Sequence, residues 1–256
     1  MKTLFRAIII LLLIGLSSQR EISAASTLSN ETLHYTITYK WGVIHKDAAK
    51  ATLRLSNSGG KYHMLLTART LPWADKVFMV RDTLKSTAIA KGFTVTGYEK
   101  TTHEGGKYSR DVIKFTHSGN SVKASTTRVR EDKKKGISRS SKSLSGMAPA
   151  LDMLSVFYYI RLLDLHNMPT NQVKKFSIFS GNKVETLSIR KTGVKTITMR
   201  NKSQRAAYRL NFTFTQNSKK KSSDDILVYV SADGDKVPLY LVGKLPIGEV
   251  RVYLDN

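Results

Sequence analysis

The chain has 256 residues, 42 Lys and Arg against 19 Asp and Glu, a formal net charge of +23 and no cysteine. Without cysteine there is no disulfide framework, no thiol nucleophile, no cysteine zinc site and no lipoprotein acylation. The charge favours encounter with polyanions such as lipopolysaccharide phosphates or anionic lipid headgroups, and equally suits a solvated basic surface.

Lys2 and Arg6 precede an apolar run from Ala7 to Leu16, and small residues cluster at Ser23-Ala24-Ala25. This is the pattern of a secretory signal peptide, residues 1–25, whose apolar run is too short for a permanent membrane span. Its removal leaves 231 residues with 39 basic and 18 acidic side chains, enough for one large β domain over 26–256. No later segment is apolar enough to cross a membrane as a helix. Export makes nucleic acid the least expected polyanion. A cysteine-free exported chain fits a bacterial envelope compartment, so the expected location is the periplasm or envelope, without a lipid anchor.

Leu33, Tyr35, Ile37, Tyr39 and Trp41 alternate with polar residues, as do Ala49, Ala51, Leu53 and Leu55, then Tyr62, Met64, Leu66 and Ala68 after the Ser58-Gly59-Gly60 turn. Period two over these lengths predicts three meandering strands with one buried face. Leu71-Pro72-Trp73 breaks the pattern and Lys76 to Ala90 resumes it. Strands over Phe93–Thr102 and Tyr108–His117 flank Glu104-Gly105-Gly106, and Ser121–Arg130 follows the next turn. The stretch 131–145, EDKKKGISRSSKSLS, is basic and has no apolar period, which predicts a surface loop; SKKKSS at 218–223 reads the same way.

Between them lies Leu151 to His166, LDMLSVFYYIRLLDLH, apolar at helical spacing and almost all round. Pro149 suits a first helical position, Asp152 a first turn, and Asn167 with Pro169 a stop, which predicts a helix of about 149–166. Asp152, Arg161 and Asp164 interrupt it, so burial against a sheet is expected, with Arg161 and Asp164 close enough to meet. After it come strands at Val173–Ser180, Val184–Lys191 with a turn at Gly193, Tyr208–Phe214, Ile226–Ser231, Val237–Lys244 and Val250–Leu254. The expected fold is mainly β: an antiparallel curved sheet, open barrel or sandwich, packed around one long hydrophobic helix.

ETLHYTITYKWG, RDTL at Arg81–Leu84, the Tyr98–Tyr108 hairpin, LDMLSVFYYIR and the ending ADGDKVPLYLVGKLPIGEVRVYL occur in an order that resembles the DUF3108 family. That resemblance spans nearly all of the chain after the leader and implies an exported bacterial protein of unknown function. It supplies no reaction, ligand or catalytic residue. A sheet curled around one helix is also similar to periplasmic carriers of lipids and lipoproteins, a likeness of fold alone.

The six histidines are scattered, and neither a nucleophile elbow nor a phosphate loop is present, so no metal, no cofactor and no enzymatic activity is expected. Three readings follow. In the first, a non-catalytic envelope protein holds a lipid or other apolar or anionic envelope molecule between sheet and helix, contacted by Tyr35, Tyr39, Trp41, Asp152, Tyr158, Tyr159 and Arg161. In the second, a solid-packed interaction module works through its surface, with Val250 and Val252 exposed on an edge strand. The third is an envelope hydrolase that pairs carboxylates among Asp82, Glu99, Glu104 and Asp152.

Overall fold

A computed structural model describes residues 27–216, 220–221, 225–245 and 247–255. The expected leader, 1–25, and most of the 218–223 loop lie outside the described residues. The first half of the chain is a meander: β1 (Glu31–Trp41), β2 (Ile44–Ser58), β3 (Lys61–Thr70), helix α1 (Pro72–Phe78), β4 (Val80–Ile89), β5 (Thr94–Glu104), β6 (Lys107–Ser118), β7 (Ser121–Asp132) and β8 (Gly136–Met147). A three-residue strand, β9 (Ala150–Asp152), and helix α2 (Ser155–Leu162) cross the interior. The second half is another meander: β10 (Val173–Ser180), β11 (Lys183–Thr198), β12 (Gln204–Gln216), β13 (Lys220–Lys221), β14 (Ile226–Ser231), β15 (Pro238–Lys244) and β16 (Glu249–Leu254).

The sheet order is β8-β7-β6-β5-β4-β3-β2-β1-β16-β15-β14-β12-β11-β10-β9, with β13 on β12. The first and last long strands are therefore central neighbours, Tyr35 opposite Leu254 and Tyr39 opposite Val250. The sheet curls until β8 meets the β10–β11 hairpin. There the Met147 amide donates to Ser177 Oγ (3.1 Å) and Lys142 Nζ to the Asn182 carbonyl (3.4 Å), side-chain contacts in place of a ladder. Gly146 lets Phe179 and Val184 close over it, since a Cβ there would stand 3.0 Å from the Phe179 ring. The result is a nearly closed barrel.

The barrel is apolar inside and charged outside. Lys50, Arg54, Arg69, Lys85, Arg110 and Lys114 point outward while Leu53, Leu84, Ile113, Leu187, Ile189 and Leu210 are buried. A membrane-spanning barrel has the opposite arrangement. Among the described residues no helix is long and apolar enough to cross a membrane.

The long central helix is corrected to eight residues. Its expected first turn is instead β9, which pairs in parallel with β10, and the Pro149 carbonyl accepts the Ser177 amide (3.0 Å). Short apolar runs carry the same signal in a buried strand and a buried helix, and here a strand partner was available. Helix α2 ends because Leu163 turns extended. The segment beyond stays buried through Leu165 and Met168, although its backbone has left the helix. Lys191, 6 % exposed, makes this tolerable: its Nζ donates to the carbonyls of Leu165 (2.7 Å), His166 (3.2 Å) and Met168 (2.7 Å). A buried ammonium thus satisfies backbone acceptors that would otherwise be orphaned. Asp164 does not meet Arg161; it accepts from the Asn167 side chain and amide.

The expected basic loop 131–145 is also corrected: it is the end of β7, a turn at 133–135, and β8. Strand β8 exposes nearly every side chain, so it has no buried face to imprint an alternating pattern. Its strand state comes from the ladder to β7, from Asp132–Gly136 to Ser121–Met147. Two smaller corrections have local causes. Lys76–Phe78 belongs to α1, opened by Pro72 at the first turn. Strand β11 runs through Gly193, where a bulge against β12 replaces the expected turn.

Candidate functional site: an apolar cavity at one end of the barrel

Inside the barrel, between α2 and the strands on either side of the β1–β16 seam, lies a cavity of about 210 Å³. Its origin is legible in residue size. On β2 and β3 the inward positions are Ala49, Ala51 and Ala68, with Ala51 and Ala68 directly opposite each other, and Gly243 stands on β15. Elsewhere most of the barrel interior carries larger side chains, Leu, Ile, Val, Phe and Tyr. The small wall is faced by Met153 in the turn before α2, by Val156 and Phe157 in its first turn, and by Phe212, Phe214 and Val228. The cavity exceeds the roughly 150 Å³ of an apolar void known to stay dry and take up a benzene ring. It is large enough for part of one hydrocarbon chain.

The cavity reaches the barrel end through Leu245 and three polar residues, Asp82, Glu104 and Lys244. Lys244 is exposed, Glu104 half-buried, and Asp82 only 5 % exposed, with Oδ1 lacking any protein partner. Burial pushes the Asp82 carboxyl up to about 7; the nearby Lys100 ammonium pulls it down, and Glu104 adds to the rise by charge and by hydrogen bonding. Above the ordinary carboxylate range and below about pH 7, the folded protein thus holds a proton that the unfolded chain has released. Stability falls as pH rises through that window. Asp152 and Glu185, pushed by burial to about 6 and about 7, slope the same way. Asp82→Asn is expected to flatten the slope and to raise stability at pH 8 by on the order of 2–4 kcal/mol. Urea unfolding at pH 5 and pH 8 reads this; a variant with the parent's slope would show Asp82 ionised in the fold.

Of the seven side chains singled out from sequence, Tyr35 forms part of the cavity wall, its hydroxyl donating to the Pro238 carbonyl (2.9 Å). Tyr39 is half-buried and donates to the Ile247 carbonyl (3.0 Å), while Trp41 is 54 % exposed at the β1–β2 tip. Tyr159 packs edge-on between Phe93 and Phe176. Asp152 is fully buried beneath the start of α2. Its Oδ1 accepts the amides of Leu154 (2.8 Å) and Ser155 (2.9 Å), and its Oδ2 the Ser86 hydroxyl (2.5 Å). It therefore acts as the helix cap. Arg161, 6 % exposed, pairs with Glu31 and donates to the Asp235 carbonyl (2.8 Å). Tyr158 lies beside this pair, and burial raises its phenol and that of Tyr35.

Sequence reasoning did not find the alanine wall; of the four carboxylates it named as able to pair, the cavity mouth brings Asp82 and Glu104 together. The available signal was a run of small inward residues in strands whose neighbours are large. The last-strand edge is corrected as well: β16 is flanked by β1 and β15, Val250 is buried, and Val250 and Val252 line the cavity. Among the described residues no three His, Asp or Glu side chains gather as a metal site.

Comparison with known proteins adds to this geometry. The family described as protein of unknown function (DUF3108) matches residues 34–255. The chain belongs to the DUF3108 family. Comparison with curated proteins returns no match. Among solved structures, this DUF3108 chain is similar to a beta-barrel-like protein of domain of unknown function DUF1849 from Brucella abortus. The TM-score is 0.60 at 9 % identity, over 91 % of this chain and 98 % of that one. At that identity the likeness is one of fold alone, and it supports the nearly closed barrel.

Proposed function

We propose that this protein is a non-catalytic, exported envelope protein that holds one apolar chain in the barrel cavity. The observation that carries the reading is the alanine-walled void facing Met153, Val156 and Phe157, apolar along its length and polar only where it reaches the barrel end. Such a site gains from burying hydrocarbon and fixes orientation with few polar groups. The tail would lie against Tyr35 and the alanines, and the polar head would meet Lys244 and the protonated Asp82. The basic leader with its apolar run supports export.

A hydrolase is the weaker reading. Asp82 and Glu104 both line the cavity mouth, and the charge of Glu104 raises the Asp82 carboxyl further, yet the rest of the lining is apolar apart from Lys244, without the polar groups that would position a hydrolysable substrate. Glu99 faces outward, paired with Arg110.

The test is titration of purified protein with a fluorescent fatty acid, together with native mass spectrometry of protein recovered from the envelope fraction. One equivalent of probe bound, or one copurifying apolar chain, is expected. Ligand-free protein that ignores the probe would sink the reading.

A further inference from the structure

The strand directions place seven chain connections at the end where the cavity opens. They are the β1–β2 tip, α1 between β3 and β4, and the β5–β6, β7–β8, β10–β11, β12–β14 and β15–β16 links. Contacts tie them together: the Gly105 amide donates to the Met79 carbonyl, Trp73 Nε1 to the Asp47 carbonyl, and Gly248 packs against the Lys40 carbonyl. Ten large apolar side chains are exposed among the described residues, and only Ile89, Met147 and Val194 lie away from this end. The β1–β2 tip presents Trp41, Val43 and Ile44, with Val43 fully exposed; α1 presents Val77, and the β15–β16 turn Ile247. Turns at the opposite end, Ser58-Gly59-Gly60 and Ser118-Gly119-Asn120, are short and polar.

The same end gathers cations. Lys133, Lys134 and Lys135 form the β7–β8 turn, and Lys46, Lys76 and Lys244 are exposed beside the apolar tips. Several acids of this end are already held: Asp75 by Arg81, Asp132 by Lys107, and Asp47 by Arg200. Scattered exposed apolar residues need no explanation, but apolar tips interleaved with lysines on one end of a barrel do. Hydrocarbon-seeking side chains beside cations match the two layers of an anionic bilayer surface, acyl boundary and phosphate headgroups.

We propose that this end is a docking rim for anionic phospholipid bilayers, with Trp41, Val43 and Ile247 entering the acyl boundary and the lysine turns meeting the headgroups. Docked this way, the cavity mouth faces the bilayer. The inference deepens the carrier reading by naming where cargo would enter, yet the tips lie outside the cavity, so the two can fail separately.

The experiment is co-sedimentation of the full chain, without residues 1–25, with phosphatidylglycerol–phosphatidylcholine vesicles and with phosphatidylcholine alone, beside fluorescence quenching by acyl-brominated lipid. The expected result is binding to the anionic vesicles only, weakened by salt. Quenching should persist in Trp73→Phe and vanish in Trp41→Phe. Val43→Asp with Ile247→Asp, and separately Lys133→Glu with Lys134→Glu and Lys135→Glu, should each cut vesicle binding at least about tenfold, while fatty-acid uptake in solution stays as in the parent. No sedimentation at low salt, binding without Trp41 quenching, or undiminished binding by the aspartate variant would each overturn the rim. Docking without probe uptake would support the rim and sink the carrier reading.

Discussion

Replacing Ala51 with Leu and Ala68 with Phe together is expected to weaken fatty-acid uptake by about 100-fold without unfolding the barrel. The two alanines face each other across β2 and β3 and both point into the void. Filling their half of the cavity displaces several methylenes of any bound chain, and each buried methylene contributes about 0.8 kcal/mol. Three or four of them amount to about 3 kcal/mol, or two decades in affinity. The free protein should respond in the other direction, since an apolar side chain placed in an empty apolar void commonly adds about 0.5–2 kcal/mol. Opposite movement of the dissociation constant and the melting temperature is the signature. Unchanged affinity in a stabilised variant would place the ligand elsewhere on the molecule. Loss of stability would mean that the wall has no room, and the volume would then be too small for cargo.

The second large effect concerns stability. Arg161→Met is expected to cost about 3–5 kcal/mol, because it strands the Glu31 carboxylate, whose side chain is 17 % exposed, and frees the Asp235 carbonyl. For a chain of this size that is a fall of about 10 °C or more in melting temperature. Adding Glu31→Gln should recover most of the loss, since the penalty lies in the unpaired charge and not in the missing pair. Fatty-acid uptake per folded molecule should stay at the parental value, because neither residue lines the cavity. A double variant no more stable than Arg161→Met would show that the guanidinium acts mainly through its packing against Tyr158.

These two outcomes bear on what the amino-acid order could reveal. Alternation of large and polar residues in β1 to β7 located the strands well, because each has one buried face. Strand β8 escaped notice for the same reason: both its faces are wet, and only the partner ladder makes it a strand. The helix was over-extended because Leu151, Leu163 and Leu165 satisfy a helical period equally well as strand and plug residues. The partners that decide the matter, Ser177 and Lys191, lie 23 or more positions away in sequence from the groups they bind. The charged residues of the LDMLSVFYYIR segment proved conspicuous because they hold the fold: Asp152 caps α2 and Arg161 locks β1 to the β14–β15 connection. The cavity wall was quiet in sequence, since alanine in a strand signals neither burial nor a ligand until its neighbours across the ladder are known.

The pairing of β1 with β16 has a consequence for how the molecule comes apart. A strand at the margin of an open sheet has one neighbour and can peel away by itself. Here the two terminal strands form the middle of the sheet, joined over six residue pairs and tied further by the Asp255 amide on the His34 carbonyl. Deleting β16 would therefore split the cavity wall and divide the barrel into two unsupported meanders. Fraying should start instead at the β8 border, where no ladder exists. Hydrogen exchange would reveal this as early exchange in β8 and late, simultaneous exchange in β1 and β16.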